Sequence, residues 1–317
     1  MRAPHSFASS VLLSLLIATS ASAVTMAWKS VGNPGNPGQY GFGEGAVGYL
    51  YEIGTYEVTN GQYAEFLNAK AQDDPLGLYD PFMADPTFDS LNSEGAGGIT
   101  RSGSSGSYVY TPIAGRENMP VNNVTFFDAI RFANWMNNGH GDGDTETGAY
   151  TLLGGTATPS NGDTVTRNPG ATIFLPSQDE WFKAAYYDAS STGYNGFATG
   201  NSFPNCAPPT TAPNSANCGN AVGDVTNVGS YTGSPSPYGT FDQEGNVAEW
   251  NDTLDDTRRV IQAGSFADPP GQRGGGIYPG NSNALLGFRL AMIPEPSTGL
   301  LVIAGLLGLA GRRRARA

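Results

Sequence analysis

Histidine is nearly absent from this 317-residue chain, with His5 and His140 alone. A site built from several imidazoles, for a metal or for a nucleophile and its base, cannot be assembled from so few. Cysteine is as scarce: Cys206 and Cys218 are the only two, and none stands between 219 and 317. Positive charge is short as well, with 16 Lys and Arg against 28 Asp and Glu. Five of those arginines (Arg2, Arg312, Arg313, Arg314 and Arg316) sit at the two ends, so the overall charge of -12 becomes -17 across the middle. Such a middle repels nucleic acid and anionic membranes, which excludes basic-patch binding and leaves cations or a neutral polymer as compatible partners. No apolar run reaches the roughly 20 residues that a spanning helix requires.

What the chain has in plenty is backbone punctuation. Its 44 glycines and 22 prolines make up about a fifth of the residues, while hydrophobic residues stand at 39%. That balance predicts a globular domain of loops and short elements shaped by turns. The length suffices for a sizeable core, and no linker composition divides the middle into two.

Both ends read as addresses. Residues 1–23 carry Arg2, an apolar run Val11–Ala18 and a small-residue cleavage site, Ala21-Ser22-Ala23, the pattern of a secretory signal peptide. Export implies an oxidising compartment, where Cys206 and Cys218 read as a structural disulfide closing a Pro/Asn-rich loop. The far end, 294–317, runs Pro294-Glu295-Pro296, then a short apolar stretch, then the arginine cluster, which holds to the cytoplasmic side and gives a transient or marginal anchor. This tripartite pattern resembles the PEP-CTERM sorting signal of Gram-negative bacteria that make exopolysaccharide. The resemblance implies processing by an exosortase and delivery to the cell envelope (periplasm or outer membrane) or the extracellular matrix.

Between the ends, Tyr49–Val58 predicts a strand, and Thr59 with Gln62 forms a capping box that starts a helix. Gln72–Arg116 alternates acids, prolines and a Gly/Ser tract, and predicts a long surface insertion with one hairpin-like strand near Tyr108–Pro112. Thr125 begins a second helix that Gly139 closes. The acids Asp142, Asp144 and Glu146 alternate as in a calcium loop, but Thr147 and Leu153 stand where an EF-hand needs glycine and a bidentate acid, so a solvated turn is expected. Ile173–Pro176 predicts a short strand, and Ser177-x-x-Glu180 a second capping box and a third helix. Trp135, Trp181 and Trp250 are expected in the core.

The stretch Tyr238–Trp250, YGTFDQEGNVAEW, places Asp242 and Glu249 around Gly245-Asn246. It reads either as a turn with two solvated acids before a core tryptophan, or as a loop that wraps oxygens around one hard cation. Four further segments stand around it: YEIGTYEVTNGQYAEFLNA (51–69), MPVNNVTFFDAIRFANWMNNG (119–139), TIFLPSQDEWFKAAYYD (172–188), and 259–291, which holds AGSF and ends in GFRLA. In this order the five segments resemble the formylglycine-generating enzyme, or sulfatase-modifying factor, family over roughly 47–292.

That resemblance implies a single α+β domain across 24–293 with a low-regularity, C-type-lectin-like fold. It implies calcium held by Asp242 and Glu249 through side chains and by Gly245 and Val247 through carbonyls. A second site matches less closely to Asn217 and Asp224, with a carbonyl near Cys218. The family's oxidases hold copper(I) on two cysteines shortly after the GGS[YF] motif, here Ala263-Gly264-Ser265-Phe266, which spacing places near Asp268 and Arg273. A carboxylate and a guanidinium are no ligands for soft Cu(I), so copper is not expected. A related three-histidine iron branch fails on His140 alone. The leading expectation is therefore a non-catalytic, calcium-stabilised binding module for a glycan or protein, such as an exopolysaccharide or a surface protein, presented by loops 72–116 and 267–286. The alternatives are a formylglycine-generating oxidase or divergent oxidoreductase acting on a protein cysteine, and a structural biofilm matrix protein.

Overall fold

A computed structural model describes residues 24–41 and 43–294. The expected signal peptide at 1–23 and the sorting segment from Glu295 onward lie outside the described residues. Three helices carry the regular structure: α1 (Asn60–Lys70), α2 (Phe126–Asn137) and α3 (Gln178–Tyr186). Each begins in a capping box, on Thr59, Thr125 and Ser177. In each box the hydroxyl and the third-residue side chain satisfy two orphan N–H groups, an arrangement of about 1 kcal/mol per cap. The expected starts of all three helices are met, and Gly139, with φ at +84°, follows the end of α2.

Two four-stranded sheets frame these helices. In the first, Trp28–Val31 pairs antiparallel with Tyr51–Gly54, which pairs with Ala291–Met292, which pairs in turn with Ile173–Phe174. The register places Ala291 between Ile53 and Phe174, so the last strand of the domain closes it against two earlier ones. In the second, Ala248–Asp255 lies between Arg258–Gln262 and Leu286–Gly287, with Gly275–Ile277 at the edge. Sequence reasoning did not foresee this second sheet. The strand that centres it, AEWNDTLD, is rich in Asp and Asn, residues depleted in strands, and a bulge interrupts it between Trp250 and Leu254.

The core is one large aromatic cluster with two satellites. Tyr63, Phe66, Phe132, Trp135 and Phe288 meet edge-on, stacked or tilted, with ring centroids 5.3–6.4 Å apart. Trp250 joins the main cluster and donates Nε1–H to Val124 O at 3.0 Å, whereas Trp181 centres a satellite with Phe182 and Tyr186. The insertion at 72–116 is more than a surface loop. Its strands Ile99–Ser102 and Val109–Pro112 form a hairpin, and Leu78, Tyr79, Met83, Ile99 and Tyr110 are buried in the main core. Asp144 and Glu146 build a turn, and Glu146 pairs with Arg131 at 2.6 Å. The domain is thus a single mixed α+β unit with short, curled sheets.

Candidate functional site

The Asp242–Glu249 loop can adopt its path only because of its glycine. Gly245 has φ at +99°, and a Cβ there would stand 2.0 Å from Asn217 O. Asn246, also left-handed with φ at +60°, is the hub. Its Oδ1 accepts from Thr226 N at 2.9 Å and Asn217 Nδ2 at 3.1 Å, and its Nδ2 donates to Glu57 Oε1 at 3.1 Å. Its own N–H donates to Asn217 O at 2.9 Å. The loop therefore packs against Asn217 and Cys218.

Behind the loop lies an arginine among acids. Glu249 and Arg289 are both 0% exposed. Arg289 donates through Nε to Glu249 Oε2 and through Nη2 to Oε1, each at 2.7 Å, and Trp181 Nε1 adds a third donor to Oε2 at 2.8 Å. Asp242 accepts from Gly229 N at 2.5 Å. Burial, offset in part by that N–H and by Arg289, pushes its carboxyl up to about 6. Glu57, 1% exposed, is raised well above the usual range, first by burial and then by the negative charge of Asp242. Val247 is fully buried against Phe266 and Val225.

At the second expected calcium site the two side-chain ligands differ in their surroundings. Asn217 Oδ1 is buried without a hydrogen-bond donor and so is free to face a cation, but both oxygens of Asp224 are held by Arg116 at 2.6 and 3.0 Å. Among the described residues no three His, Cys, Asp or Glu side chains converge as a metal cluster would. Glu57, Asn246, Arg289 and Arg116 were missed as site residues by sequence reasoning. The one available signal was Glu57, an acid beside Val58 just before the Thr59 cap.

The positions expected for copper thiolates are otherwise employed. Asp268 Oδ2 accepts from Ser265 N at 2.9 Å and Ser265 Oγ at 2.7 Å. The Arg273 guanidinium lies over Phe182 and Tyr186, 5.4 and 5.9 Å from the ring centroids, and donates to Gln39 Oε1 at 2.7 Å. Cys206 and Cys218 are joined in the expected disulfide.

These features define a loop-dominated α+β domain stapled by one disulfide and organised on a buried carboxylate–arginine centre. The chain belongs to the sulfatase-modifying factor family: the family profile "Sulfatase-modifying factor enzyme 1-like domain" matches residues 47–293. A PEP-CTERM protein-sorting motif follows at 293–314, which implies an exosortase-type processing system and export from the cytoplasm. None of the curated proteins matches. Among solved structures, variable protein 1 of Treponema denticola is similar at a TM-score of 0.55 and 20% identity, over 87% of this chain and 98% of its own. CarF is similar at 0.55 and 20%, over 86% and 99%. At such identities the likeness concerns the fold.

Proposed function

We propose that this chain is an exported, calcium-stabilised binding module of a Gram-negative cell envelope or extracellular matrix, on a C-type-lectin-like scaffold, with a glycan or a surface protein as its ligand. One observation carries the reading. Where the family's oxidases place a soft copper dithiolate, this chain has Asp268 bound up in a turn and Arg273 stacked on two aromatic rings. Its only thiols are spent in the Cys206–Cys218 bridge. Calcium would tie the Asp242–Glu249 loop, and the second site at Asn217, Cys218 and Asp224 would do the same for the bridged loop. The apolar segment after Pro296 would hold the protein at the membrane until exosortase acts.

A second reading, an oxidase of the formylglycine-generating type or a divergent oxidoreductase acting on a protein cysteine, is favoured by the family match itself, which spans the whole domain and is named for an enzyme. Of the two readings it has the more direct support from the comparisons, whereas the residues at 268 and 273 speak for binding. Incubating the domain with a Cys-x-Pro-x-Arg peptide, copper and oxygen separates them. An unchanged peptide mass together with retention on an exopolysaccharide matrix is expected. Conversion of the peptide thiol to an aldehyde, read by mass, would establish the enzyme.

A further inference from the structure

The segment ahead of the family match, which begins at residue 47, builds an element of its own. Residues 33–41 and 43–47 double back as a finger: Gly35 N–H donates to Val47 O at 2.9 Å, Gln39 N–H to Glu44 O at 2.7 Å and Gly43 N–H to Gln39 O at 2.8 Å. Asn36 joins the two limbs, donating to Gly45 O at 2.7 Å and accepting from Val47 N–H at 3.3 Å. The base is held from α3. Lys183, 0% exposed, donates its ammonium to Asn33 O at 2.9 Å, and among the described residues no carboxylate pairs with it. A buried lysine without an acid is costly, so the fold sets a desolvated charge against the finger's first limb. Asp179 accepts from Gly45 N–H at 2.8 Å, Gln178 donates to Glu44 Oε1 at 2.7 Å, and near the tip Gln39 accepts from Arg273 at 2.7 Å.

Opposite the finger, Tyr187–Asp188 and Gly193–Tyr194 pair as a hairpin, and the Tyr194 hydroxyl accepts from Asn36 at 2.8 Å and donates to Pro37 O at 2.9 Å. Finger and hairpin enclose an open groove of about 490 Å³, within the range of roughly 300–1,000 Å³ usual for ligand sites. Pro37, Gln39 and Tyr40 form one wall, and Thr192, Gly193 and Tyr194 the other. Tyr40 is 100% exposed, although the finger that carries it is tied at its base and at Gln39. An aromatic ring on a fixed support gives contact area at little entropic cost. The C–H face of a sugar ring matches such a surface, while its hydroxyls bond amides, carbonyls and other hydroxyls without a counter-charge. Charge sorts the remaining candidates. The lining holds no acid or base to pair with a charged ligand, and the -17 of the chain's middle repels an anionic polymer.

We propose that this groove binds a neutral polysaccharide, with the Tyr40 ring laid against the face of a sugar. The inference rests on the glycan form of the proposed function and fixes its place: the ligand lies between the N-terminal finger and the 187–194 hairpin, not on loops 72–116 and 267–286.

The test is affinity electrophoresis of the full-length protein through native gels containing dextran, barley β-glucan or galactomannan, with alginate as the anionic comparison. At least one neutral polymer should retard wild type, and alginate should not. Tyr40→Ala removes a fully exposed ring, so it should keep the wild-type melting temperature and raise the dissociation constant, read from retardation against polymer concentration, at least tenfold. A Cβ on Gly193 meets no atom beyond its chain neighbours nearer than 3.6 Å, so Gly193→Val fits the backbone, narrows the groove and should weaken binding as well. Tyr278→Ala, which removes a 53% exposed ring from loop 267–286, should leave retardation unchanged. Neutral-polymer binding that survives both Tyr40→Ala and Gly193→Val, or that falls only with Tyr278→Ala, overturns this site and leaves the binding-module reading standing. Retardation by alginate alone overturns the neutral class of ligand. Wild type retarded by none of the four polymers overturns this inference together with the glycan reading on which it rests.

Discussion

Arg116 grips Asp224 with both terminal nitrogens, at 2.6 and 3.0 Å, and passes a further N–H to Ala96 O at 2.7 Å. A cation at the second expected site would have to share that carboxylate with a guanidinium already seated on it. Like charges at such range repel strongly in a half-buried setting. Replacing Arg116 by Gln should therefore raise calcium affinity at the Asn217–Asp224 site, seen as an added or tighter binding phase in calorimetry. No change in that phase would show that Arg116 and a cation do not compete.

The pair Glu249–Arg289 gives a second prediction. Removing one member of a buried, fully hydrogen-bonded ion pair leaves the other charge stranded, at a cost of about 3–5 kcal/mol. Arg289→Leu should lose about that much in urea unfolding. The double variant Glu249→Leu with Arg289→Met, which strands neither, should recover part of the loss. A loss in the double variant equal to the sum of the two single losses would mean that the partners act independently.

The bridge between Cys206 and Cys218 closes a short loop, with the two cysteines 12 positions apart. Reduction, or replacement of both cysteines by Ser, should cost about 2–3 kcal/mol of stability. Alkylation before and after reduction, read by mass, should show no free thiol in the native protein and two after reduction. Free thiols in native protein would dismiss the bridge.

The helices were legible in the sequence because their signals are local. Thr59 with Gln62 and Ser177 with Glu180 lie three residues apart, and the capping geometry follows from that spacing. The disulfide was legible because only one pairing exists. The buried charge centre was not, since Glu57 and Arg289 are brought together only by the closing strand Ala291–Met292 against Tyr51–Gly54, and neither carries a local mark of its partner. The insertion at 72–116 misled in the opposite direction. Its glycines and acids read as solvent-facing, while Tyr79, Ile99 and Tyr110, spaced too irregularly to show a period, fill the core.

Asp128, in the capping box of α2, should set a pH dependence. Burial, only partly offset by its bonds from Thr125 and the charge of Arg131, raises its carboxyl to about 6, and Asp74 adds to the rise. A carboxyl raised above its unfolded value favours the folded state while protonated, so its contribution is full below about 4 and is lost as pH rises through about 6. Glu180 runs the other way: burial raises it, Arg167 together with the bonds from Ser177 and Tyr49 brings it below its ordinary value, and its contribution disappears as pH falls below the usual carboxylate range. Asp128→Asn should therefore flatten the decline in stability between pH 4 and 6, measured by urea midpoints, without altering the loss at lower pH. A slope unchanged by the substitution would free Asp128 of this role.

Copper uptake tests positions 268 and 273 directly. Gly264 lies between Asp268 and Gln272, whose Cβ atoms would each stand 2.9 Å from a Cβ placed on it, so the chain after Ala263-Gly264-Ser265-Phe266 folds tightly back on this glycine. Two thiolates set into so tight a loop could meet on one soft ion, whereas the carboxylate of Asp268 and the guanidinium of Arg273 cannot hold it. Wild type should take up no copper(I) in competition with a bicinchoninate chelator. The double variant Asp268→Cys with Arg273→Cys should take up about one equivalent, because two thiolates are the minimal set the soft ion needs. Copper held tightly by wild type would mean that the family's oxidising centre survives on other ligands, and the binding reading would give way to the catalytic one.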